Sequence, residues 1–569
     1  MKTNEKLTAG LLLVAGYVLF SLMPNTFANW AYDYLQYIPT GGVVICVLLP
    51  VVILLATPKL TANRAMRTLA FAFALSLPVL FILFRTRIHC FGGDGAVGTV
   101  PVDLAVSWRD FIPPLPTVGR LDTYGMGVVT KLAMRTGLLA KMPGMTSVAA
   151  SQVFAFLWGT VYVLLALLLL RRRIGLMLVV LTLPTVFNFF GNIDCYPLPL
   201  CVSLLFMVCA AKVLDRGGVR LPEVMLFSVF WLFCGWVHPL AGVVGFLPAI
   251  AWARWFNSLK LRVRLPEWCA CLAYGLVFFV AIKVGYGKAF LSAPFNEVPP
   301  VFSVPTFVHM LNVCILPVLP TAVTVLAGRA ERGVKVNCLA VFASQLVCFA
   351  AAHFTQGAND QFPYSLYFIG VFAPWFVAIW KTPLTAAGYG RIVAVNVLVL
   401  VPMVWVHSTE LTIDRAERLY PIDICKHNGE MSWQTHLGLV LGDNLVDSGK
   451  LKTAVLRTFE NGARFANPAG FRGGNAIYHI AFHYHFGEFE KGRRYLGEFL
   501  RNNPSAVGCF LSPRPGFIYM NRQRLWDDIL SLSSAPVREQ LKPIVDRLKT
   551  QAASERYCLI NPRFLKCSY

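Results

Sequence analysis

An aspartate set among glycines is the first place in this chain where side-chain chemistry can be read. His89-Cys90-Phe91-Gly92-Gly93-Asp94-Gly95 follows directly on an apolar run that ends near Phe84. Glycines let a backbone approach a ligand closely, and a carboxylate held there can act as a general base or ligate a divalent cation. A solvated turn fits the same residues. Further polar groups stand at comparable places: Asp194 in Phe189-Phe190-Gly191-Asn192-Ile193-Asp194-Cys195-Tyr196-Pro197, His238 before Pro239, His309 and Asn312 in His309-Met310-Leu311-Asn312, and Asp360 in Asn359-Asp360-Gln361-Phe362-Pro363. Each taken alone also fits a helix end or an interfacial anchor. Thirteen Asp and Glu precede Ser408, and Asp94, Asp110, Asp194, Glu297 and Asp360 all fall between apolar segments. Ionisable groups near a membrane plane are costly, which makes these five functional candidates.

The elements that must position them are apolar helices. With 56% hydrophobic and only 14% charged residues over 569 positions, the chain reads as a polytopic membrane protein and not as a water-soluble globule. About thirteen apolar segments run from Leu7–Met23 to Ile392–Val406, among them Ile174–Phe190, Leu198–Leu214, Val224–Val237, Leu240–Trp255 and Phe307–Ala327. Lipid offers no hydrogen bonds to a backbone, and barrel-type alternation is missing, so each segment is expected to be an α-helix. The fold class expected is therefore all-α: a transmembrane helical bundle with a soluble helical domain after it.

Lys and Arg occupy every second short loop. They fall at Lys2 and Lys6, Lys59 to Arg67, Arg171 to Arg173, Lys212 to Arg220, Arg254 to Arg264, Arg329 to Lys335, and Lys381 with Arg391. By the positive-inside rule these loops are cytoplasmic, which puts the N-terminus inside and residues 408–569 outside. The +22 net charge is then a topology signal and does not imply a nucleic-acid partner. Lys2 and Lys6 precede a full-length apolar run without a small-residue cleavage site, so that run is expected to stay as a helix. On the outer face one loop, residues 85–147, is far longer than the others. Within it Leu121–Met142 has the pattern of an amphipathic interfacial helix.

Taken in order, Gly93-Asp94-Gly95, the Phe189–Pro197 motif, His309-Met310-Leu311-Asn312 and Asp360-Gln361-Phe362 resemble the pattern of bacterial membrane proteins of the GT-C glycosyltransferase superfamily. The resemblance covers roughly half the chain. Two departures stand in it: Asp194 takes the place of a Glu, and the loop at Asp360 lacks a second Asp and a Trp. The resemblance implies a core module of residues 69–407, with residues 1–68 as two added transmembrane helices. It also implies a polyprenyl-phosphate-linked sugar as donor and a glycan, lipid or protein acceptor outside the cytoplasmic (inner) membrane. Asp94 would be the catalytic carboxylate, either as base toward the acceptor or, with a second acid, as ligand of a divalent cation (Mg²⁺ or Mn²⁺) at the carrier phosphate. Asp194, His238, His309, Asn312 and Asp360 would contact substrate. A non-catalytic envelope scaffold or a transporter is the alternative; mid-span acids and inverted repeats, which transporters often show, are not evident in the sequence.

Residues 408–569 carry a different signature. Gly449 and Gly487 are 38 apart and Pro468 and Pro504 are 36 apart, close to the ~34-residue period of tetratricopeptide helix pairs. Two degenerate repeats are expected, with Val537–Leu548 in a capping helix and a role in scaffolding or acceptor binding. His479 and His483 are four apart with His485 beyond, a spacing that suits helix packing better than a zinc site, because no His-Glu-x-x-His pattern is present. Most of the 15 cysteines lie in apolar segments; Cys425, Cys509, Cys558 and Cys567 lie outside them, where disulfides are permitted.

Overall fold

The computed structural model describes residues 3–23, 32, 34–35, 38–60, 64–86, 146–191, 196–216, 218–237, 244–259, 263–285, 307, 310–356, 366–408, 480, 483–484, 487–502 and 522–554. Among these residues every regular element is a helix. The apolar bundle consists of α1 (Thr3–Leu22), α2 (Thr40–Leu60), α3 (Arg64–Leu83), α4 (Thr146–Leu170), α5 (Ile174–Leu181), a 3-10 helix (Pro184–Phe190), α6 (Pro197–Asp215), α7 (Leu221–Val237), α8 (Phe246–Ser258), α9 (Glu267–Gly285), a π-helical turn (Leu311–Ile315), α10 (Leu316–Leu326), α11 (Arg332–Gln356), α12 (Leu366–Lys381) and α13 (Ala386–Ser408). Beyond it come α14 (Phe489–Asn502), α15 (Arg522–Leu532) and α16 (Ala535–Ser554).

Within the described residues four helices, α2, α4, α6 and α13, are long and apolar enough to cross a membrane, and six shorter apolar helices accompany them. Burial sorts these four. The apolar windows of α6 and α13 are 72% buried and that of α2 only 28%, so α6 and α13 form the inner framework and α2 packs at the rim. Helix α13 carries α2 along its length and also touches α1, α5 and α10; α6 packs between α4, α12 and α7. In lipid, helices gain no hydrophobic free energy by pairing, and close approach depends on small residues. At Gly159 of α4 a Cβ would stand 2.7 Å from the Cβ of Phe189 and 2.8 Å from the ring of Phe81, so only glycine lets α3 and the 3-10 helix close on α4. Phe81 and Phe190 then meet edge to face with centroids 4.9 Å apart.

One apolar segment differs from the sequence expectation. Ile174–Phe190 is not one helix: α5 stops at Leu181, and Pro184 opens the 3-10 helix. Proline lacks an N–H and clashes with the preceding turn, which ends the α-helix there. The carbonyls this leaves are answered locally, since Thr182 Oγ1 donates to Leu178 O at 2.8 Å and Asn396 Nδ2 of α13 lies 3.4 Å from Val179 O. The segments around Pro239 form two helices, α7 and α8, packed on each other with Trp252 Nε1 donating to Ser228 Oγ at 3.0 Å, in keeping with a hairpin.

The basic junctions between helices meet at one end of the bundle. Arg173 donates from Nη1 to Trp380 O at 2.6 Å and holds its guanidinium 4.1 Å over the Trp380 ring. Lys381 pairs with Glu331 at 3.0 Å, and Glu267 accepts from Arg254 at 2.7 Å and from Asn337 at 2.5 Å. These contacts tie together the junctions α4–α5, α8–α9, α10–α11 and α12–α13.

Among the C-terminal helices, Gly487 takes φ +76° between the helical residues His483-Tyr484 and α14, a left-handed conformation that favours glycine. The expected helix after this break is present as α14. The preceding stretch, Trp433–Ala466, and the interfacial segment Leu121–Met142 lie outside the described residues, as do Cys425, Cys509, Cys558 and Cys567.

Candidate functional site

Of the residues assigned to a site from the sequence, Asn312 lies within the described residues; Asp94, Asp194, His238, His309 and Asp360 lie outside them. What the structure does place is the point from which two of the motif loops depart. Residues 85 and 86 leave the end of α3, and the backbone N–H of Thr86 donates to the carbonyl of Phe190 at 2.6 Å. Phe190 ends the 3-10 helix, and Gly191 follows with φ +79°. A Cβ on Gly191 would come within 3.1 Å of the Phe156 ring and 3.2 Å of Gln152 Cγ, so glycine is needed here for both its backbone angle and its size.

Gln152, in α4, completes this joint. Its side chain is buried; Nε2 donates to Thr86 O at 2.8 Å, and Oε1 accepts from Arg85 Nη1 at 3.0 Å. A single amide therefore satisfies the backbone of one loop root and orients a half-buried guanidinium beside it. Sequence reasoning did not single out Arg85 or Gln152. The available signal was a glutamine in an otherwise apolar helix, which must find a hydrogen-bonding partner where water is scarce.

Asn312 lies apart from this joint in the contacts it makes. It is buried in the π-helical turn that precedes α10, and its backbone carbonyl accepts from the Tyr32 hydroxyl at 2.8 Å. Tyr17 also donates its hydroxyl to Leu316 O one turn later. A π-turn leaves helical carbonyls open to such tyrosine donors, and the N-terminal helices are anchored to α10 through them. This contact uses the backbone of Asn312 and leaves the role of its side chain open.

In the C-terminal helices, His483 is fully buried, with Nδ1 3.2 Å from Glu488 Oε2 and its ring stacked on Tyr495 at 5.3 Å between centroids. His479 and His485 lie outside the described residues, and among the described residues no group of three metal-ligating side chains occurs. Asp528, also buried, accepts from the Tyr484 hydroxyl at 2.6 Å and from Arg493 at 3.2 Å. Both arrangements pack helices together.

At the bundle joint, then, the structure places the Arg85 guanidinium beside the points at which the two motif loops depart. Comparison with protein families, curated proteins and solved structures finds no match to this chain.

Proposed function

We propose that this protein is a membrane glycosyltransferase of GT-C type that moves a sugar from a polyprenyl-phosphate donor to an extracytoplasmic glycan, lipid or protein acceptor. The observation that carries this reading is the Thr86 N–H to Phe190 O bond, which roots the loop of Asp94 and the loop of Asp194 at one point. Asp94 follows Thr86 by eight residues and Asp194 follows Phe190 by four. At ~3.3–3.6 Å per extended residue both carboxylates are within chain reach of the same small volume.

In this reading the Asp94 carboxylate takes the proton of the acceptor hydroxyl as its oxygen attacks the anomeric carbon. The bond from that carbon to the carrier phosphate oxygen breaks, and the polyprenyl phosphate departs with the electron pair. A cation at the departing phosphate lowers the barrier by stabilising charge that develops only in the transition state, and Arg85 is held for that task by Gln152. Asp194 contacts the sugar or a shared divalent cation.

The test is a transfer assay in membranes with radiolabelled polyprenyl-phosphate sugars. Asp94→Asn is expected to lower label transfer by about 10²–10⁴-fold, the range for a lost general base, with folded protein at wild-type abundance. Undiminished transfer in that variant would overturn the assignment of the base. No transfer from any donor by abundant, folded wild-type protein would replace the enzyme reading with a scaffold or transporter.

A further inference from the structure

Helices α2 and α3 are consecutive in the chain, and both line, with α5 and α13, a groove of about 1440 Å³. Its floor is a helical stripe of α13, in which Tyr389, Val393, Val397 and Val404 recur four, four and seven residues apart, with Leu178 of α5 also lining the groove. Ile53 of α2 and Leu77 of α3 both line it. From Ala386 to Ser408 the floor extends about 33 Å at 1.5 Å per residue, close to the ~30 Å of a bilayer's hydrocarbon.

Charge distinguishes the two ends. At one end the lining is Phe84, Phe190 and Trp405; at the other it is Arg67, Arg171, Arg172 and Arg173. Arg173 is committed to Trp380. Arg67, Arg171 and Arg172 are exposed, no acid lines the groove, and among the described residues none of the three is paired with a carboxylate. An apolar trough of bilayer length that opens sideways and ends in three available guanidiniums is complementary to a molecule with hydrocarbon chains and a phosphate head.

We propose that this groove binds an anionic glycerophospholipid from the leaflet at the basic end, with its phosphate held by Arg67, Arg171 and Arg172 and its acyl chains against Tyr389, Val393 and Val397. The groove reaches the Thr86–Phe190 joint at its far end through Phe190, but its arginines lie at the opposite end and its occupancy does not depend on sugar transfer.

The full-length protein, purified in detergent, is exposed to equal amounts of phosphatidylglycerol and phosphatidylcholine, and retained lipid is counted by native mass spectrometry. Wild type is expected to retain phosphatidylglycerol with at least about tenfold preference. Arg67→Gln combined with Arg171→Gln and Arg172→Gln is expected to erase that preference. Because loss of three arginines can disturb insertion, a second variant, Ile53→Trp, fills the trough with every arginine in place and is expected to reduce phosphatidylglycerol retention. Equal retention of the two lipids by wild type, or a preference unchanged in either variant, overturns the proposal. Displacement of phosphatidylglycerol by equimolar polyprenyl phosphate would overturn it in favour of that carrier, and a lipid-free dimer that buries the groove would do so in favour of a second copy.

Discussion

Gln152 shows what one buried polar side chain does in an apolar setting. It answers the Thr86 carbonyl and the Arg85 guanidinium together, so its removal takes one hydrogen bond from each. Gln152→Leu keeps the volume roughly constant and is expected to destabilise the protein by about 1–2 kcal/mol, the scale of interhelical hydrogen bonds in lipid. Thermal melting in detergent checks this, and the transfer assay should fall with it because Arg85 loses its orientation. A second residue-scale expectation concerns pH. Burial, and then the hydrogen bond to Asp528, push the Tyr484 phenol well above its ordinary value. A phenol whose folded-state value is raised contributes stability that is fully present below the unfolded value of about 10 and is lost as pH rises toward the folded one. Protection of α14 and α15 from hydrogen exchange, corrected for intrinsic rates, should therefore decline between about pH 10 and 12. In Tyr484→Phe that decline should flatten.

At the scale of elements, the packing of α4 on its neighbours is set by where a side chain has room. Gly159→Val places atoms inside the space of Phe189 and Phe81 and is expected to cost about 1–3 kcal/mol, whereas Gly235→Ala in α7 meets nothing within 4 Å and should be neutral or stabilising. Paired melting curves of the two variants test this contrast. The helical nature of these segments was legible from hydropathy, because a backbone in lipid has no alternative partner. So was the break at Gly487, marked by glycine between two amphipathic stretches. The division of Ile174–Phe190 was not, because hydropathy is blind to whether freed carbonyls find a Thr182 or an Asn396 nearby. Nor was the Tyr32 contact with the backbone at residue 312, since His309-Met310-Leu311-Asn312 gives no hint of a π-turn or of a tyrosine hydroxyl arriving from residue 32.

For the molecule as a whole, the gathering of basic junctions at one end leads to an orientation that can be measured. Reporter fusions after Ser258, between α8 and α9, are expected to read as cytoplasmic and fusions at the C-terminus as extracytoplasmic; the reverse pattern would overturn the orientation derived from Lys and Arg. The sequence by itself determined that the chain is helical and rich in segments fit for a membrane, and that glycine marks the break at residue 487. Those properties are local: composition, period and the φ freedom of single residues decide them. The meeting of Thr86 with Phe190, the role of Gln152 between them, and the trough lined by α2, α3 and α13 were decided by the tertiary structure alone. They join residues from 66 positions apart, for Gln152 and Thr86, to several hundred, for α2 and α13. In an apolar medium no hydrophobic gain selects one helix face over another, so the choice falls to shape at small residues and to the few buried polar groups that must be satisfied.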